Sequence, residues 1–261
     1  MYPKLLHIYS DLYINSYGLA IAVGLALFTW LLSHDTQAKK LTSSQELLNI
    51  IQLGFVIALI AGRLGVFLTE PNLYTYWYEW FMLWKGGFSI LGSILGIVLL
   101  MPCILKKKNI PILPFLDRVS VYAPLLQSIS RIGCFLAGCC AGKPTSSIWA
   151  VTYYDPACMT QLYVPLHPTQ LYSSILLLII FFFLYFGLQQ RTKHSGVLFF
   201  SYLLLVSFER FIVDFFRADH INAPELLYNL FSIHQWIALL LFVGACLGLW
   251  LTNRTASHEY I

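Results

Sequence analysis

The feature that most limits what this chain can become is a recurrence of long, nearly charge-free apolar runs. Seven of them fall at 13–32, 48–69, 86–105, 112–129, 169–188, 197–216 and 231–251. Each is close to the ~20 residues a helix needs to cross the hydrocarbon of a bilayer, where an irregular backbone would leave its polar groups unsatisfied. Composition agrees: 58% of the residues are hydrophobic and 11% are charged, against about 25% charged in an ordinary soluble domain. Sixteen Tyr and seven Trp suit a chain that meets the two membrane interfaces repeatedly. The reading is an all-α, polytopic membrane protein of seven transmembrane helices, a single domain over 1–261. The fourth run is the weakest span, kinked or partly re-entrant, because it holds Pro114, Asp117, Arg118 and Pro124; six helices is the alternative count. No small-residue cleavage site follows the first run, so it reads as a retained helix.

Lys and Arg asymmetry orients the spans. Lys39, Lys40, Lys106 to Lys108, Arg191, Lys193 and Arg254 fall in alternate connections and at the C-terminus, which makes those sides cytoplasmic. Lys4, Lys85, Arg131, Lys143 and Arg217 are spread thinly on the other. The expectation is N-out and C-in, with one sizeable extracytoplasmic loop region at 131–166. The net charge of +4 is small and dispersed, so no nucleic-acid partner is expected.

A charge inside the bilayer costs several kcal/mol, which makes each one a structural pair or a functional group. Arg63 lies about two turns from the outer end of its helix by the ~3.6-residue period. Arg210, Asp214 and Arg217 share one helix face, with Asp214 in reach of either arginine. Tyr17, Lys85, Arg131 and His167 stand at the outer ends of other runs. Snorkelling termini and ion pairs explain such residues singly. As a set they describe a polar, cationic region in the outer leaflet, suited to an anionic lipid head group, since guanidinium binds phosphate in two-point fashion. Gly92 and Gly96 read equally well as helix-packing residues.

The segment Arg131-Ile-Gly-Cys-Phe-Leu-Ala-Gly-Cys-Cys-Ala-Gly142 resembles the signature of the prolipoprotein diacylglyceryl transferases, Gly-Arg-x-Gly-Asn-Phe-x-Asn-x-Glu followed three residues on by Gly. Arg131, Gly133, Phe135 and Gly142 match. In the same order along the chain, Tyr17-Gly-Leu19, Gly62-Arg63, Trp84-Lys-Gly-Gly-Phe-Ser89, His167-Pro-Thr-Gln-Leu-Tyr172, Arg210-Phe-Ile-Val-Asp-Phe-Phe-Arg217 and Gln235 resemble further family motifs, so the likeness covers residues 17–240. The resemblance implies seven transmembrane helices and a monomeric, multi-pass enzyme of the bacterial inner or plasma membrane. Its substrates would be phosphatidylglycerol and the lipobox cysteine of prolipoprotein signal peptides, with no cofactor. A thioether forms and glycerol phosphate leaves. Arg131 and Arg210 would hold the phosphate, with Arg63 or Arg217 in support. Asp214 would orient Arg210, and Tyr17 and Gln170 would contact substrate. His167 and Asp214 both stand as bases, and direct displacement needing no strong base is a third possibility.

Five positions depart from the pattern, the mildest being Asp214 where the family's Arg-x-x-x-Glu has its glutamate. The family's histidine two residues beyond Ser89 is Leu91; its signature Asn and Glu are Cys134 and Cys139; and Ser173 stands where Glu is usual. Two rival readings follow. One is a lipid-binding relative with another acceptor or lost activity; the other is a membrane thiol oxidoreductase built on Cys134, Cys139 and Cys140. The cysteine spacing fits no standard zinc pattern, so no metal is expected, while an extracytoplasmic setting permits disulfides such as Cys134 or Cys139 with Cys158. Cys103 and Cys246 read as small core residues.

Overall fold

Ahead of the first span the chain forms an antiparallel hairpin, β1 (Lys4–Tyr9) with β2 (Leu12–Asn15); the sequence reading had a polar lead-in to Asp11 and started the first helix at Tyr13, whereas the helix starts at Ser16. The computed structural model describes residues 2–9, 12–69, 76, 78–79, 82, 87–192, 194–218 and 231–258. The expectations for Trp84, Lys85, Gly86 and Lys193 lie outside the described residues. The helices are α1 (Ser16–His34), α2 (Thr36–Leu41), α3 (Ser44–Thr69), α4 (Ile90–Lys107), α5 (Ile112–Ala137), α6 (Thr169–Phe182, continued as a π-helical stretch Phe183–Leu188), α7 (Val197–Asp214) and α8 (Ile233–His258). Two residue pairs, β3 (Val151–Thr152) and β4 (Pro165–Leu166), form a small antiparallel ladder in the long connection.

The chain is a polytopic membrane protein. Among the described residues five helices are long and apolar enough to cross a membrane: α1, α3, α5, α6 with its continuation, and α8. α4 and α7 are 18 residues each. The outer faces of the helices are apolar in the way hydrocarbon requires, with Leu68 on α3, Leu99 on α4 and Leu240 on α8 each at least two-thirds exposed. Cys103 and Cys246 are on that exposed surface and not in the core; a small apolar side chain suits lipid as well as protein, so its type does not tell the two apart.

Two compact units form. One comprises Ser33–Phe115. In it α3 and α4 cross on small residues: a Cβ on Gly92 would sit 2.6 Å from the Ala61 carbonyl oxygen, and one on Gly96 would sit 2.3 Å from Ala61 Cβ. These glycines are packing residues.

The other unit comprises Met1–Leu32 and Leu116–Ile261. α5, most of which belongs to this unit, is one continuous helix that runs past Ile129. Pro114 falls in the first turn, where no ladder donor is missed, and Asp117 has work that offsets its burial. Its two oxygens accept from the backbone N–H groups of Gly196 (2.6 Å) and Phe199 (2.8 Å), so a neighbouring helix caps the N-terminus of α7 with a negative charge. Because α5 runs on to Ala137, Arg131 stands inside it, and the long connection begins at Gly138. At the opposite end, α8 opens with a capping box: Ser232 N donates to Gln235 Oε1 (2.9 Å) and Gln235 N to Ser232 Oγ (3.0 Å).

Candidate active site

The site grows from the C-terminus of α5. Gly138 adopts φ +65°, which only glycine reaches at little cost. That reverses the chain so that Cys139 N donates to Cys134 O (3.1 Å) and Gly138 N to Phe135 O (3.2 Å). This pair of bonds is the Schellman arrangement, which brings the residue three before the helix end against the one just past the glycine. Here those residues are Cys134 and Cys139. Cys140, at φ +60°, turns its own thiol back to them. The three Sγ atoms all lie within 4.8 Å of one another. All six cysteines are free thiols. The Cys134 and Cys139 thiols, hydrogen-bonding to Cys140, pull its pKa well below the ordinary range, and Arg217 and Arg131 add to the effect. Cys139 is pushed up by the same sulfur neighbours.

The turn is held from behind by α6. Gln170 Nε2 donates to Cys139 O (2.6 Å) and to the Tyr153 hydroxyl (3.2 Å); Thr169 Oγ1 donates to Cys140 O (2.8 Å). Gln170 is 1% exposed and its Oε1 is buried with no partner among the described residues. Gly142 lies where a Cβ would meet Phe216 O at 2.4 Å and His167 Cβ at 2.7 Å. Its N–H donates to His167 O (2.9 Å), and Lys143 N donates to Phe216 O (2.8 Å), which ties the turn to the ends of α6 and α7. The signature glycine Gly133 serves another crossing: a Cβ there would stand 2.6 Å from Ala20 Cβ, so α5 presses on α1 beside Tyr17. Tyr17 in turn lies next to Ser130 and all three thiols.

The charges gather on the same unit. Asp214 is 1% exposed; its Oδ1 meets Arg210 (3.4 Å) and Arg217 (3.9 Å), and its Oδ2 accepts from Ser232. Arg217 lies beyond the end of α7 and returns to Asp214 through a turn. Arg131 and Arg217 are near enough to Arg210 for their charges to bear on it. Arg131, half-buried in a membrane helix, makes no ion pair or hydrogen bond among the described residues. Sequence reading missed Glu209, which is 5% exposed, bonded to Ser173 and flanked by the charges of Arg131, Arg210 and Arg217. Ser173 on α6 donates its hydroxyl to this carboxylate on the next helix.

Two expected site residues are differently engaged. Arg63 belongs to the 33–115 unit, and its guanidinium is spent on backbone, with Nη1 on Gly87 O (2.9 Å) and Nη2 on Glu79 O (2.8 Å) and Met82 O (3.2 Å). His167 Nδ1 pairs with the Tyr172 hydroxyl (3.2 Å), and its ring packs on Phe216. Leu91 is 56% exposed on α4 and offers no proton acceptor.

The family description "Prolipoprotein diacylglyceryl transferase" matches residues 3–251. The chain belongs to that family. Among its relatives, the phosphatidylglycerol–prolipoprotein diacylglyceryl transferase of Clostridium tetani is 33% identical over 242 residues, covering 92% of this chain and 93% of its own. The protein of the same name from Bordetella avium is 30% identical over 217 residues, covering 82% and 80%. Clostridium perfringens has one numbered 2, 32% identical over 244 residues and covering 90% and 89%. The name these relatives share includes an anionic phospholipid, phosphatidylglycerol.

Proposed function

We propose that this enzyme moves the diacylglyceryl group of phosphatidylglycerol onto the lipobox cysteine thiol of prolipoproteins. The observation that carries the reading is Arg131: a half-buried guanidinium that makes no ion pair or hydrogen bond among the described residues, beside Arg210 and Arg217, in a chain of this family. A phosphodiester gives those charges a partner. Arg131 and Arg210 hold the phosphate, Arg217 supports it, Asp214 orients Arg210, and Tyr17 and Gln170 contact substrate. Arg63 serves by fixing the segment around Gly87. The acceptor sulfur forms a bond to the glyceryl carbon as the carbon–oxygen bond to phosphate breaks. The electron pair leaves with glycerol phosphate, whose growing charge the arginines stabilise. His167, through Nε2, takes the thiol proton.

The enzyme is one transferase domain of seven spans, N-out and C-in, with its loop region outside the bacterial inner or plasma membrane, and it works as a monomer. The test is full-length protein in detergent with phosphatidylglycerol and a lipobox peptide. The expected result is a peptide gaining one diacylglyceryl group by mass as glycerol phosphate is released, with no product from a Cys→Ser peptide. Binding of the lipid without either product would overturn the reading in favour of a lipid-binding relative.

A further inference from the structure

Three thiols brought within 4.8 Å are more than packing needs, and no disulfide uses them. The separation of 134 from 139 matches no zinc-finger spacing, yet the helix-ending turn puts these two side chains together for a conformational reason. The turn is also firm. The carbonyl of Cys134 is held by Cys139 N, that of Cys139 by Gln170 and that of Cys140 by Thr169. Cys140 is kept at a φ that L-residues rarely adopt. Ligand-bearing backbone fixed by outside hydrogen bonds is what a metal site requires. Three soft sulfur donors select a thiophilic ion such as Zn2+, and three protein ligands with one open position is the arrangement of catalytic zinc. Three thiolates and Zn2+ sum to one negative charge, beside Arg131 and Arg217.

We infer that Cys134, Cys139 and Cys140 hold a Zn2+ ion whose fourth position takes the acceptor thiol that the enzyme alkylates. This deepens the transferase reading and rests on it. A thiol bound to zinc is deprotonated outright, which supplies the nucleophile where Leu91 removes an imidazole. The displaced proton passes to His167. The zinc-held thiolate attacks the glyceryl carbon, glycerol phosphate leaves with the bonding pair, and the uncharged thioether, a poor ligand, departs and reopens the ion.

The experiment uses full-length enzyme purified in detergent under reducing conditions. Elemental analysis is expected to find one zinc per chain. Cys134→Ser and Cys139→Ser should lose it, while Cys103→Ser and Cys246→Ser should keep it. With Co2+ exchanged for zinc, sulfur-to-cobalt charge-transfer bands should appear and should shift with a lipobox peptide but not with its Cys→Ser form. Chelation should abolish transfer and zinc should restore it. A chain that takes up no zinc or cobalt, or bands indifferent to the thiol peptide, would overturn the proposal. Full transfer by stripped enzyme would overturn it too, while leaving the transferase reading intact. Bands that respond to the thiol in an enzyme transferring nothing from phosphatidylglycerol would support the metal–thiol site and sink the transferase reading instead.

Discussion

Glu209 is buried beside three arginines and reaches Ser173 on the neighbouring helix. A carboxylate there balances the cationic cluster when no lipid is bound. Ser173→Ala leaves one of its oxygens short of a donor, so stability should fall by about 1–3 kcal/mol, read as a lower melting temperature in detergent. An unchanged melting curve would show that water replaces the hydroxyl. Tyr153, 0% exposed, gives a pH signature. Burial pushes its phenol from 10.0 up to about 12, so the unfolded chain loses that proton first. The stabilisation is complete below pH 10 and is lost as pH rises through the window to about 12. Melting measured across that window should show the decline, and Tyr153→Phe should flatten it.

At the scale of elements, the structure makes the start of α8 part of the site's support. Ser232 both caps that helix and donates to Asp214, so Ser232→Ala should cost about 1 kcal/mol from the cap alone and loosen the carboxylate that positions Arg210. The expected kinetic result is a weaker apparent affinity for phosphatidylglycerol, with a smaller loss in Ser232→Thr. The long helices were legible in sequence because apolar run length is a direct consequence of bilayer thickness. Gln235 was legible only as a motif; its role at the opening of α8 needed the helix boundary. The β1–β2 hairpin was not legible, since the apolar residues of its second strand run straight into the first span. Neither was the convergence of the thiols, which depends on a left-handed glycine at 138, nor Glu209, a single charge in an apolar run whose partner lies on another helix. Arg63 read as a ligand for phosphate, and no residue pattern announces that backbone carbonyls hold it.

For the whole molecule, the proposed seven-span topology predicts that the C-terminus and the 106–108 lysine cluster face the cytoplasm and that the 138–166 connection faces outward. Impermeant thiol reagents on intact cells should label single cysteines placed at Ile148 or Met159, which are each 89% exposed, and should spare one placed at Lys107. Labelling of both sides, or of Lys107 alone, would reverse the assigned orientation. In that orientation the cationic site would meet secreted preproteins as they emerge.

The central claim is that Arg131 on α5 acts on the phosphate of the lipid donor. It is tested most directly by the rate of peptide lipidation by Arg131→Ala enzyme in phosphatidylglycerol nanodiscs, compared with the unaltered protein. The account predicts a fall of about 10²–10³ in kcat, the size expected for a lost transition-state donor, with only partial recovery in Arg131→Lys, whose ammonium cannot offer two-point contact. Turnover within a few-fold of the unaltered enzyme in Arg131→Ala would contradict it.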